Sequence, residues 1–287
     1  MVTVILGISS ALIFGSADFL GGLAAKRMNP VFVTAVVAIT GLFVLLIALV
    51  FVGGIWSPQA VLLGAASGVS GAVAIGLLYA CLAIGPMSIL SPLTAVVSAV
   101  VPLTVGLIGG ERLGPIGYVA IALALVAIIL VGFVPERGAV RPSLTGVLMA
   151  FGSGIAIGIF LILIDLAPDD SGLVPLVLNR AVNAAIMFAV VLVLVLVARR
   201  RGITSVLGEV RAGIWIAVVG GIIDVVANMG LLLGVRLGEL SVIAVLTALY
   251  PAGTILLAAI VLKERIAPVQ YVGLVLAISA GAMLALA

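Results

Sequence analysis

Apolar residues run through this chain in long blocks, broken only by turn signals and isolated charges. A helix that crosses hydrocarbon needs about 20 mostly apolar residues, and blocks of that length recur along the whole chain. The pattern predicts spans over 3–25, 31–52, 60–82, 86–108, 115–134, 144–164, 174–198, 213–233, 240–261 and 268–286. Between Arg27 and Glu111 there is no charged residue, a stretch too long for one span. Gly53-Gly54 through Ser57-Pro58, and then Gly85-Pro86, divide it, because glycine and proline punctuate helices. The connections are short, the longest being the basic segment from Ala198 to Ala212. None of them leaves room for a separate soluble domain.

Composition supports the same class. Of 287 residues, 65% are hydrophobic and 8% charged, against about 25% charged in ordinary soluble domains. Lipid must cover the surface that polar side chains would otherwise cover, so the expected fold is an all-α membrane protein. The formal charge of +3 is too small and too spread out for nucleic acid. Cys81 is the only cysteine, which rules out an intramolecular disulfide. Histidine is absent, and with it the usual metal ligand and near-neutral proton shuttle. No metal or other cofactor is expected, and proton coupling would fall to a carboxylate. The first segment lacks the basic start of a signal peptide, and Lys26-Arg27 follow its apolar run. It reads as the first span.

The chain also repeats itself. Placing residue n over residue n+153 aligns Gly85 with Gly238, Ser88 with Ser241, Thr94 with Thr247, Glu111 with Glu264, Arg112 with Arg265, Pro115 with Pro268 and Tyr118 with Tyr271, all without a gap. In the earlier spans only Gly15/Gly154 and Gly68/Gly221 suggest a match. Two halves follow, 1–138 and 139–287, of five spans each. Five is odd, so similar halves enter the membrane from opposite sides. Such inverted repeats are typical of secondary transporters, with the substrate near the midplane where the halves meet.

Basic residues set the orientation. The odd-numbered connections carry Lys26, Arg27, Arg137, Arg141, Arg199, Arg200, Arg201, Arg211, Lys263 and Arg265, and the even ones only Arg112 and Arg236. The sixth holds Asp165, Asp169 and Asp170. This count predicts odd connections in the cytoplasm and both termini outside.

The end of each half carries a motif, Gly85-Pro86-x-Ser88 to Glu111-Arg112-x-x-Pro115 and Gly238-Glu239-x-Ser241 to Glu264-Arg265-x-x-Pro268, and Phe14-Gly15 marks the first span. With these features the chain resembles the drug/metabolite transporter superfamily, specifically its ten-helix EamA type, over nearly its whole length. The resemblance implies a basket of ten helices around a central cavity, moving amino acids, other metabolites or drugs without ATP, commonly outward. Glu239 departs from the pattern, standing where the first half has Pro86.

Charges inside spans select the site candidates, since each costs about 2.5–3.5 kcal/mol at a helix centre even on conservative scales. Asp18, Arg180 and Asp224 qualify, with Asn179, Asn183 and Asn228 nearby. They form either a buried pair holding helices together or a polar cavity. Register places Arg180 level with Asn228, and Asp224 one turn deeper beside Asn183; Asp18 would join from the opposite wall, at a depth nearer the other side. The expectation is that Arg180 receives an acidic or carboxylate-bearing group while Asp224 holds it or titrates with a driving ion. Tyr79 and Tyr250 are further candidates for lining or packing. Pro92 and Pro102 in span four and Pro251 in span nine remove backbone donors and kink their helices, and are read as hinges or cavity lining. Ser88, Ser91, Ser98 and Thr104 stand ready to satisfy the freed carbonyls. Gly64/Gly68, Gly154/Gly158 and Gly230/Gly234 have the spacing for close helix packing. Glu111-Arg112 and Lys263-Glu264-Arg265 read as interface anchors, or alternatively as gating pairs.

Four function classes remain to be weighed. A membrane enzyme would need a nucleophile–base set or metal ligands, and none is present. A nucleotide-driven pump would need a Gly-x-x-x-x-Gly-Lys-Ser/Thr loop, which is also lacking. A secondary transporter of a small-molecule substrate, driven by a coupling proton or other ion, fits best, and a passive facilitator or uptake permease for a small polar solute is the alternative. The partners expected are membrane lipid and that substrate. One chain suffices, with a homodimer left open.

Overall fold

The computed structural model describes residues 1–84, 87–132, 142–201, 207–263 and 265–286. Gly85, Pro86, Arg137, Arg141 and Glu264, and the side chains of Tyr79 and Ser88, lie outside the described residues. The described helices are α1 (Val2–Ala25), α2 (Pro30–Val52), α3 (Pro58–Ile84), α4 (Met87–Ile108), α5 (Pro115–Gly132), α6 (Leu144–Asp165), α7 (Val174–Arg200), α8 (Val210–Leu237), α9 (Leu240–Thr247), α10 (Tyr250–Val261) and α11 (Pro268–Leu286). A single 3-10 turn, Asp169–Ser171, precedes α7. Together they make ten segments long and apolar enough to cross a membrane, α9 and α10 sharing the ninth.

Local chemistry marks the helix starts. Asn29 caps α2 through a 2.9 Å bond from the Val31 N–H, Ser57 caps α3 from Ala60 at 3.1 Å, and Ser143 caps α6 from Gly146 at 3.1 Å. Pro30, Pro58, Pro115 and Pro268 each open a helix, where a missing N–H is harmless.

Two expectations need correction. Span eight runs over 210–237, several residues longer at each end than its apolar pattern suggests. The prolines do not interrupt equivalent spans of both halves, because α4 continues through Pro92 and Pro102. Only span nine breaks, at Ala248 and Leu249, and Pro251 then sits in the first turn of α10. Ser98 and Thr104 donate to the carbonyls of Ala95 (2.8 Å) and Val100 (2.7 Å), not to the carbonyl of Ser98 that Pro102 frees.

Packing is symmetric under exchange of the halves. α3 lies on α6 as α8 lies on α1, and α3 on α7 as α8 on α2. α4 lies on α6 as α9 and α10 lie on α1, while α2 with α7, and α5 with α11, pair across the halves. The weak glycine matches acquire a reason here. A Cβ on Gly154 would meet Val97 Cβ at 2.6 Å, and one on Gly15 would meet Thr254 N at 2.6 Å and Gly253 Cα at 2.7 Å. Each glycine lets the first helix of its half cross the fourth span of the other half. Likewise Gly68 abuts Asn179 and Val182 on α7, and Gly221 abuts Val37 and Thr40 on α2. Equivalent helices run in opposite directions, since each half contributes five crossings.

Candidate functional site

A cavity of about 240 Å³ opens where the halves meet. Its polar lining comes from Asp18 on α1, Ser98 on α4, Asn179, Arg180 and Asn183 on α7, Asp224 and Asn228 on α8, Thr247 on α9 and Tyr250 on α10. Its apolar walls include Phe14, Ile75 and Phe160. Tyr79 lies outside the described residues as far as its side chain is concerned.

Arg180 and Asp224 form a hydrogen-bonded ion pair, with side chains only 12% and 18% exposed. Asn228 stands one turn beyond Asp224 on the same helix face. Its Nδ2 donates to the Asp224 carbonyl at 2.8 Å and to the carboxylate at 3.3 Å. Neighbouring Asn179 donates to Ser67 Oγ at 2.9 Å, fixing α7 to α3. Breaking such a pair by removing one partner costs about 3–5 kcal/mol, because it leaves a buried charge uncompensated.

Three other lining groups lack a partner among the described residues. Asp18 is exposed to the cavity, and no hydrogen bond or ion pair holds it among the described residues. Asn183 Oδ1 and Thr247 Oγ1 are buried without a partner. Thr94, the repeat counterpart of Thr247, donates to the carbonyls of Leu90 (3.0 Å) and Ala150 (3.2 Å). Thr94 is thus satisfied by carbonyls of α4 and α6, while Thr247 lies on the cavity wall without a partner.

The two ends of the cavity differ. At the end of the even-numbered connections the helices are shut tightly. Gly53 and Gly172 adopt φ of 73° and 52°, open to glycine without strain, and their backbones meet closely enough for Leu173 N–H to donate to Gly53 O at 3.3 Å. Ile55 N–H donates to Asp170 O at 3.0 Å. Arg236 donates to Gly172 O at 2.8 Å and Ser171 Oγ at 3.2 Å. Toward the odd end α3 leaves α7. A Cβ on Gly64 would meet Pro175 O at 2.6 Å and one on Gly68 would meet Asn179 O at 2.6 Å, but one on Gly71 has 3.4 Å to Asn183, and one on Gly76 meets nothing within 4 Å. Gly21 and Gly22, just past Asp18 on α1, also face open space.

Sequence reasoning did not single out Phe160, Ser98 or Thr247 as lining. Only Thr247 carried a signal, its place in the repeat. The small-residue pairs do mark close contacts, with Gly230 against Ser10 and Gly234 against Ile243.

No curated protein matches this chain. A solved structure described only as "Crystal structure of protein" shares 17% identity, covers 99% of this chain and 98% of its own, and superposes with a TM-score of 0.75. At that identity the likeness speaks for a shared fold. The model of the EamA-like transporter family matches twice, over residues 1–133 and 144–286, one match per half. Ten apolar spans, paired halves and these two matches together make this chain a multi-pass membrane protein of the EamA-like transporter family.

Proposed function

We propose that this protein is a secondary exporter of small organic metabolites, amino acids or related amphipathic compounds, in the cytoplasmic membrane. The observation that carries this reading is the polar cavity between the halves, holding a buried Arg180–Asp224 pair inside otherwise apolar spans. Intramembrane ionisable groups that face a cavity are the usual mark of a solute or ion pathway. α3 and α7 approach less closely toward the odd-numbered connections, which the ten-to-two count of basic residues assigns to the cytoplasm. A solute would be collected there and released on the other side. Arg180 and Asp224 together suit a solute with a carboxylate, Arg180 receiving it while Asp224 shifts its partner.

The test begins with a thermal-shift screen of metabolites on the purified chain, because a ligand that binds only the folded state raises its apparent stability. Each hit is then followed as flux into proteoliposomes with and without an ion gradient. Gradient-driven accumulation that falls at least tenfold in Asp224→Asn, with normal insertion, supports the reading. Wild-type flux in both Asp224→Asn and Arg180→Gln would move the site elsewhere. Flux that only equilibrates would make the protein a passive facilitator.

A further inference from the structure

The charges of the cavity do not balance. Arg180 is matched by Asp224, and Asn228 steadies that match. Asp18 is left over, a carboxylate in the interior of a membrane span with no partner among the described residues. It shares the cavity wall with Asp224 and Tyr250. Because Asp18 is exposed to the cavity, whatever fills the cavity, water or solute, faces this charge.

The chemistry of the unsatisfied atoms says which solute suits them. A carboxylate only accepts hydrogen bonds, and so does an amide oxygen. Asp18 and Asn183 Oδ1 therefore both call for a donor, and the free Thr247 hydroxyl can accept from one as well. Asn183 and Thr247 are 3% and 8% exposed, so their idle acceptors are buried and lie on the cavity wall. Phe14, one turn before Asp18 on α1, and Tyr250 across from it add aromatic surface. Aromatic faces attract a cation within about 6 Å. A protonated amine, with a positive charge and several N–H donors, answers all of these demands. A carboxylate answers none of them.

We propose that Asp18 is the receptor for a protonated amine, so that the substrates are compact ammonium-bearing compounds whose apolar bodies lie against Phe14 and Phe160. This rests on the transporter reading above and narrows its substrate class. An amino acid would fit by placing its ammonium group on Asp18 and its carboxylate toward Arg180. A simple amine would use Asp18 alone.

The experiment compares n-butylammonium, n-butanol and n-butyrate, matched in size, by calorimetric titration of the full chain in detergent. Butylammonium is expected to bind wild type and to outcompete the other two at least tenfold. Asp18→Asn should bind it at least tenfold more weakly, and Asp18→Glu should restore most of the affinity. Removing an unpaired charge from a span does not burden the fold, so Asp18→Asn should melt no lower than wild type without a probe. Equal binding by wild type and Asp18→Asn, preference for butyrate, or no binding of butylammonium overturns the assignment. Flux in proteoliposomes separates the two readings. If butylammonium binds through Asp18 but never crosses, the amine site stands and the transporter reading falls. If a solute crosses equally well in wild type and Asp18→Asn, the transporter stands and the amine site falls.

Discussion

The carboxylate of Glu111 reaches across the halves to Leu240. Its Oε1 accepts from the Leu240 N–H at 2.8 Å and its Oε2 from the Ser241 N–H at 3.1 Å. The end of the first half thereby caps the ninth span, where unpaired N–H groups and the helix dipole favour an anion. Gly106 leaves the space, since a Cβ there would meet the carboxyl carbon at 2.7 Å. Read from the sequence, this residue was an interface anchor or a gating charge. In the fold it is a bond that helps hold the even end shut.

Losing that cap should be measurable. Glu111→Ala is expected to destabilise the purified protein by about 1 kcal/mol, the usual cost of a lost helix cap. Glu111→Gln, which keeps one acceptor oxygen, should lose less. A melting temperature unchanged in the alanine variant would show that the contact contributes nothing.

Glu239 gives a pH dependence with a definite sign. Burial first, and the neighbouring Glu111 charge second, push its carboxyl above the ordinary value. A raised value in the fold means that ionising Glu239 works against folding. Its contribution is fully present below about pH 4, the range of a free glutamate, and is lost as pH rises through the raised value. Glu239→Gln should therefore be more stable than wild type near neutral pH and equal to it below about pH 4. Melting curves across that range check it, and a gain that grows toward acid pH would contradict it.

The glycines divide into two groups with opposite expected responses. Gly15→Ala and Gly154→Ala drive a methyl into a helix crossing, and overpacking of this kind costs about 1–3 kcal/mol. Gly22→Ala and Gly76→Ala meet open space, and should be neutral or gain up to about 1 kcal/mol in helix propensity. Chemical denaturation of the four variants decides it. Equal losses at all four positions would refute the crossing geometry.

Orientation is testable by single cysteines in a Cys81→Ser background. Ser171, in the sixth connection, is fully buried and unsuitable, so Asp169, with its side chain 86% exposed, takes its place. Asp169→Cys is expected to react with an impermeant thiol reagent on intact cells, and Arg200→Cys only after lysis. The reverse result would put the termini in the cytoplasm.

The spans and the repeat were legible because lipid imposes a length and because Glu-Arg and proline coincidences are rare in so apolar a chain. The approach of Arg180 to Asp224 was legible for a related reason, since few polar atoms compete for a buried charge. Phe160 was not. In a helix that is apolar all round, an aromatic facing a cavity and one facing lipid look alike. The role of Glu111 was hidden too, because Leu240 lies far away in the chain and backbone N–H groups leave no mark in a sequence. The break before Tyr250 was hidden because Pro251 begins a new helix turn, whereas Pro92 and Pro102 are absorbed by a continuous one.

The bonds between connections have a mechanical consequence. At the odd end Asn29 N–H donates to Leu207 O at 3.0 Å and Glu209 N–H to Arg27 O at 2.8 Å. At the even end Gly53 and Ile55 are tied to Leu173 and Asp170. Both ends of α2 are thus bonded to the second half, at Asn29 before the helix and at Gly53 after it. A seesaw of one half against the other would tear one set of these ties on every cycle, at about 1 kcal/mol per bond.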